Sequence, residues 1–150
     1  MTLRDNLMAE IKDAMRAKAA DRLSALRLIL NGLKEREIAL RGEGKDGTDA
    51  DELAVLAKMV KQRQESVKVY LEGARQDLAD KEAAEIKVIE EFLPKQLTAT
   101  EVEAAIGAAI AEVGATSVKD MGKVMGVLKA KYTGSMDFGA VGALIKARLG

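Results

Sequence analysis

The stretch EIKVIEEFLPKQLTATEVEAAI, residues 85–106, decides how this chain is put together. Ile86, Ile89 and Leu93 recur at steps of three and four, the spacing of one face of an α-helix. Pro94, the one proline of the sequence, ends that helix, because proline disfavours the α region for the residue before it. Thr98 followed three residues on by Glu101 is a capping box, which starts a new helix with Val102, Ile106, Ala109 and Val113 turned inward. A stop, a short hinge and a start fall within one segment. PKQLTAT (94–100) is therefore the expected boundary between a domain at 1–97 and a second at 98–150.

Working toward the N-terminus, the helix stopped by Pro94 spans about Arg75 to Leu93. Before it, Leu53, Leu56, Val60 and Val67 form a stripe running on to Leu71, started by Thr48 or Asp49 and stopped at Gly73. RGEGKDGTDA (41–50), with three glycines and mixed charges, reads as a mobile loop. Leu23, Leu26, Leu30 and Leu33 mark a helix capped by Asp21, and Leu3, Leu7, Ile11 and Met15 mark a first helix capped by Thr2. Toward the C-terminus, Gly114 is a helix stop and Ser117 with Asp120 is a weaker cap for a helix carrying Met121, Val124 or Met125, and Leu128. Asp137 caps a last helix with Val141, Leu144 and Ile145 inside. The expected fold is all-α: an N-terminal helical part of about four helices, then a compact three-helix C-terminal unit.

Composition narrows the chemistry. The sequence has 150 residues, 48% of them hydrophobic, an ordinary globular share. Twenty-four Lys and Arg balance 24 Asp and Glu, so no overall basic field draws the chain to nucleic acid or anionic membrane at large, and DNA is not an expected partner. There is no His, Cys or Trp. That removes the usual general base near neutral pH, the thiolate nucleophile, the His-relayed serine and the common zinc ligands. Carboxylate or lysine chemistry stays open, yet no spacing marks it. The expectation is a binding module with no catalytic residues, no metal and no cofactor of its own. The N-terminal TLRDNLMAEIKDAMRAK lacks an apolar leader, and no apolar run approaches the roughly 18 residues that span a bilayer. The expected location is the cytoplasm, away from membranes.

Three stretches are candidate sites. In SVKDMGKVMGVLKAKYTG (117–134), Lys119, Lys123, Lys129 and Lys131 face a single acid, Asp120. Over 117–150, six bases (these four, Lys146 and Arg148) against two acids (Asp120 and Asp137) leave +4. Gly122 and Gly126 lie one turn apart on one face, and each interior glycine costs a helix about 1 kcal/mol relative to alanine. Either a phosphate backbone or another helix comes close to the main chain there, or the glycines serve tight packing within the unit. The run KMVKQRQESVKVY carries Lys58, Lys61, Arg63 and Lys68 beside Glu52, Glu65 and Glu72, and reads as a solvated face with ion pairs. Asp77, Asp80, Glu82, Glu85, Glu90 and Glu91 spread around a helix surface without the glycine turn of a calcium loop. The four aromatics, Tyr70, Phe92, Tyr132 and Phe138, are scattered, so no base-stacking platform exists and any RNA must be read by shape and backbone.

These segments also resemble a known family. RLSALRLILNGLKEREI (22–38), LAKMVKQRQESV (56–67), GARQDLADKEAAEIKVIEEFLPKQLT (73–98) and SVKDMGKVMGVLKAKYTGSMDFGAVGALIKARL (117–149) are similar to the YqeY-like proteins over nearly the whole chain. That family shares a domain with the C-terminal tail of the GatB subunit of glutamyl-tRNA(Gln)/aspartyl-tRNA(Asn) amidotransferase. The resemblance implies a two-part all-α fold whose three-helix tail contacts the outer corner of tRNA. By position it makes the Gly122/Gly126 helix, with Lys119 and Lys123, the RNA-facing element. It transfers no catalytic residue, so a label of carbon–nitrogen ligase with glutamine as amido donor would not make this chain the catalyst. The expected partner is tRNA or a tRNA-bearing complex. The alternatives are a protein–protein adaptor without RNA and a non-catalytic amidotransferase component.

Overall fold

The computed structural model describes residues 2–150, which form seven α-helices and one 3₁₀ turn without a strand among them. They are α1 (Leu3–Arg16), α2 (Ala20–Gly42), α3 (Asp49–Glu72), α4 (Gln76–Glu90), α5 (Ala99–Val113), α6 (Met121–Tyr132) and α7 (Phe138–Leu149). The 3₁₀ turn, Val118–Asp120, lies between α5 and α6. The all-α class follows from the apolar periodicity. No described helix is long and apolar enough to cross a membrane. The chain divides into two compact units, one running to Leu93 and the other Pro94–Gly150.

Capping sets most of the helix starts. Thr2 with Asp5, Thr48 with Asp51 and Thr98 with Glu101 each form a capping box, in which the hydroxyl accepts the third backbone N–H and the carboxylate accepts the cap's own N–H. The Asp137 carboxylate accepts the Gly139 N–H at 2.9 Å to open α7. Two expected caps are absent. Asp21 lies inside the first turn of α2, whose N-cap is Ala19 without a side-chain bond. Ser117 makes no cap bond either, and the 3₁₀ turn precedes α6.

The helix ends obey one geometry. After α1, α2, α3 and α5 a residue at positive φ turns the chain: Lys18 (55°), Gly44 (72°), Ala74 (55°) and Gly114 (65°). At each, two backbone N–H groups reach back to the last carbonyls, as Ala115 does to Ile110 and Arg75 to Tyr70. Glycine suits that conformation and Lys and Ala do not. In LEGARQ the glycine expected to stop α3 sits one residue early, and Ala74 takes the left-handed position.

In the first unit α2 packs against α1, α3 and α4, and Leu7, Ile11, Leu26, Ile29, Leu33, Leu56 and Ile89 are the large side chains of its core cluster. Each contributes roughly 1.5–3 kcal/mol by leaving water. The pattern Leu3–Leu7–Ile11–Met15 drifts off the helical period by its fourth member, so Met15 is exposed and Ala14 takes the inner place. The stripe of α3 likewise loses its C-terminal half: Leu56 is buried and Leu71 is exposed. Helix α4 ends at Glu90, and Phe92 and Leu93 still pack on the core from the turn beyond it.

The second unit wraps α5, α6 and α7 around Ile106, Ala109, Val124, Leu128, Met136, Val141 and Ile145. Leu144, expected inside, is exposed. The segment after Pro94 is tied into this unit, since the Leu97 N–H donates to the Ser135 carbonyl (2.9 Å) and the Gln96 amide to the Gly134 carbonyl.

Candidate nucleic-acid interface

Helix α6 has one buried side, held by Val124 and Leu128. On the opposite side Gly122, Gly126 and Ala130 follow one another a turn apart, all exposed. A Cβ at Gly122 or at Gly126 would meet nothing within 4 Å. Elsewhere glycine does serve packing: a Cβ at Gly142 would lie 3.3 Å from the Met121 methyl, and one at Gly32 would lie 3.3 Å from the Met59 sulfur. Packing within the unit therefore asks for neither α6 glycine, and the helix-propensity cost of about 1 kcal/mol apiece has no intramolecular offset.

Lys123 and Lys129 flank this bare strip and Lys119 stands before it in the 3₁₀ turn, all three exposed. Among the described residues none of them is ion-paired. Lys131 points around the helix instead and donates to Glu112 of α5 at 3.0 Å, a bond that holds its ammonium pKa above the ordinary value. Asp120 is turned back to accept the Thr116 N–H at 3.0 Å, and that backbone bond keeps its carboxyl pKa below the usual range. Arg148 lies against Gly107 and donates to the Glu103 carbonyl at 3.2 Å. Of the six expected sequence positions, Lys119, Gly122, Lys123, Gly126 and Lys129 share a face and Lys131 leaves it. Ala130 extends the strip of small residues, and its four-residue step from Gly126 was the available signal. Exposed ammonium groups beside a bare helix backbone have the charge and the open space that an anion requires.

The other candidate stretches are absorbed by the fold. Arg63 donates to Glu85 of α4 at 2.9 Å, with Glu82 at 3.9 Å, so the α3 base run and part of the acidic run clamp two helices. Asp77 pairs with Arg75, and Glu91 with Arg22, which also holds Glu10. Among the described residues no three carboxylates gather as a metal site. A cleft of about 250 Å³ in the first unit is lined by Arg4, Arg36, Glu37, Asp51 and Glu52, charges that pair with one another across it.

Comparison with known proteins gives the same segments a context. The sequence model of the family described as Yqey-like protein matches residues 4–149. The chain is 35% identical over 101 residues to altered inheritance of mitochondria protein 41, mitochondrial, of Lachancea thermotolerans, covering 65% of this chain and 51% of that protein. The protein of the same name from Candida glabrata is 36% identical over 100 residues, covering 65% and 52%. That of Saccharomyces cerevisiae S288c is 30% identical over 97 residues, covering 65% and 51%. The chain thus spans about half the length of the curated relatives it matches. Their names place them in mitochondria, which overturns the expectation of a cytoplasmic location. That expectation rested on the lack of an apolar leader and of a bilayer-spanning run, neither of which identifies a compartment.

Proposed function

The chain belongs to the YqeY-like family, and on that footing we propose that its C-terminal unit binds tRNA, or a tRNA-bearing complex, through the outer face of α6. The observation that carries this reading is the pair of unfilled glycines set among unpaired lysines. A phosphate backbone can rest against a helix only where no side chain stands in the way, and lysines at the margin supply its counter-charge. With no clustered aromatics, the module recognises shape and phosphates and leaves the bases unread. Beside an amidotransferase it would present or select the RNA and perform no chemistry.

Lys119, Lys123 and Lys129 make roughly three phosphate contacts, so log affinity falls with log salt at a slope of about −2 to −3. The test is fluorescence anisotropy with labelled total tRNA at low and near-physiological salt, on the wild type and on Lys119→Glu with Lys123→Glu. Salt-sensitive binding that disappears in the reversal supports the reading. Absence of binding at low salt refutes it and favours a protein partner.

A further inference from the structure

Helix α2 buries Ala25, Leu26, Ile29, Leu33 and Leu40 along one side. On another side Ser24, Arg27, Asn31, Lys34, Ile38 and Arg41 follow at steps of three, four, three, four and three, and all six are exposed. At 3.6 residues per turn that spacing keeps them within an arc of about 100°, in a stripe about 25 Å long at a rise of roughly 1.5 Å per residue. Five of the six carry hydrogen-bond donors, three are cationic and none is acidic. Arg27, Lys34 and Arg41 make a row of their own at seven-residue steps, which drifts around the helix by only about 20° per step.

Among the described residues Arg27 and Lys34 have no ion pair. Arg41 holds Glu37 at 2.9 Å while 75% of its side chain stays exposed, and such a surface pair is weak. The other oxygen of Glu37 is taken by Arg4 at 2.7 Å, so the acid on that edge of the stripe is spent. Glu35 borders the opposite edge. Along its centre the stripe is therefore basic, rich in donors and open.

We infer that the outer stripe of α2 is a second phosphate-binding surface, carried by the first unit, that follows an RNA backbone. It rests on the RNA reading above for the identity of the polyanion and shares no residue with α6. Arg, Lys, Ser and Asn are side chains through which proteins hold phosphates without reading bases. The Arg27 fork can offer a phosphate two parallel N–H bonds, and Lys34 adds a point charge one heptad on. A partner helix or a bilayer would ask for an apolar row on this side, and Ile38 is its single apolar member. Charge complementarity thus favours a polyanion. Two modest surfaces on one chain reinforce each other through effective concentration, so neither needs to hold RNA alone near physiological salt.

The experiment is a salt titration of binding to labelled total tRNA, read by anisotropy on the whole chain. It compares wild type with Arg27→Gln/Lys34→Gln, with Lys119→Glu/Lys123→Glu, and with Lys68→Gln/Lys87→Gln. Lys68 and Lys87 are exposed on α3 and α4, so the last variant controls for the loss of two charges. The α6 lysines alone give a slope of about −2 to −3, and two further contacts at about 0.9 each take the whole chain to about −4 to −5. Arg27→Gln/Lys34→Gln should return the slope to about −2 to −3 and cost on the order of tenfold in affinity near physiological salt, with the control at the wild-type slope. Gln matches Arg and Lys in helix propensity, and an unchanged thermal transition verifies the fold. A wild-type slope in Arg27→Gln/Lys34→Gln, with binding still abolished by the α6 reversal, overturns the stripe and leaves the α6 reading standing. A shallower slope in that variant, with the α6 reversal binding as wild type, supports the stripe and overturns the α6 reading. A wild type that binds no tRNA at low salt overturns both. Binding to phosphatidylserine vesicles that Arg27→Gln/Lys34→Gln loses, with its RNA slope unchanged, assigns the stripe to a membrane and overturns the proposal.

Discussion

Replacing Gly126 by alanine sets a methyl group where nothing lies within 4 Å. The residue is inside α6, which runs from Met121 to Tyr132, and is exposed. Alanine therefore gains the helix propensity that glycine lacks, about 0.8–1 kcal/mol, with no clash to set against it. For a domain of this size each kcal/mol raises the melting temperature by about 4–8 °C. The same methyl stands about 1.5 Å above the backbone on the face proposed to meet RNA, and a phosphate resting there must withdraw. A loss of tenfold in affinity, roughly 1.4 kcal/mol, is the expected scale. Stability and binding thus move in opposite directions, which no purely internal role of the glycine produces. Native-state amide exchange on the α6 amides reads the first effect within the whole chain, and tRNA anisotropy reads the second. A variant that is stabilised and binds as well as the wild type refutes the close approach. A variant that is not stabilised refutes the claim that the glycine is without an internal purpose.

Three further outcomes follow from the same geometry. Ala74→Gly should stabilise the first unit by about 1 kcal/mol, because Ala74 holds φ at 55° where glycine carries no penalty; a lowered melting temperature would contradict this. Acid should fray the starts of α1, α3 and α5 first. The carboxyls of Asp5, Asp51 and Glu101 are held below their ordinary values of 3.8, 3.8 and 4.5, mainly by backbone hydrogen bonds from Thr2, Thr48 and Thr98. Since their folded pKa values are depressed, the caps are intact above those ordinary values and are lost as pH falls through the lower folded ones. The start of α2, with no side-chain cap, is the internal control, and equal fraying there would sink the argument. Finally, a fragment of residues 94–150 should melt cooperatively and at a higher temperature than one of residues 98–150, because the shorter piece loses the bonds of Gln96 and Leu97 to Gly134 and Ser135. Equal melting temperatures would assign that segment no structural part.

The fold was legible because its signals are local. The N-cap at Thr2, the capping box at Thr98 and the stop at Gly114 depend on a few neighbouring residues and formed as read, while the fold chose Thr48 over Asp49 as the cap of α3 and added a capping box at both Thr2 and Thr48. The misreadings have a different origin. Met15 is exposed because three steps of four residues overrun the 3.6-residue period, and Leu144 sits beside the inward Val141 and Ile145 yet faces out. Gly73 shows the limit of a breaker signal: glycine tolerates the left-handed turn, but the reach of the chain gave that turn to Ala74. The candidate face was half legible. Spacing put Gly122 and Gly126 on one side of a helix, yet only the empty space beside them separates an open surface from a packing contact. Lys131 and Arg148 counted as free charge in the sequence and are tied to Glu112 and to the Glu103 carbonyl in the fold.

Charge placement sets what kind of binding this surface supports. The whole chain is neutral, so at distances beyond a Debye length, about 8 Å in physiological salt, no net field steers RNA toward it. The local excess acts only once contact is near. Association should then be slower than for a basic protein, and discrimination should lie in how many phosphates meet lysines at once. A regular, rigid backbone satisfies several of them together, whereas a flexible single strand must be ordered to do so, at an entropic cost. The same lysines on a flat, side-chain-covered helix would attract both alike. On the proposed reading the bare glycine strip would make shape count, because a duplex backbone would have to be close to α6 before Lys123 on one flank and Lys129 on the other could serve it together.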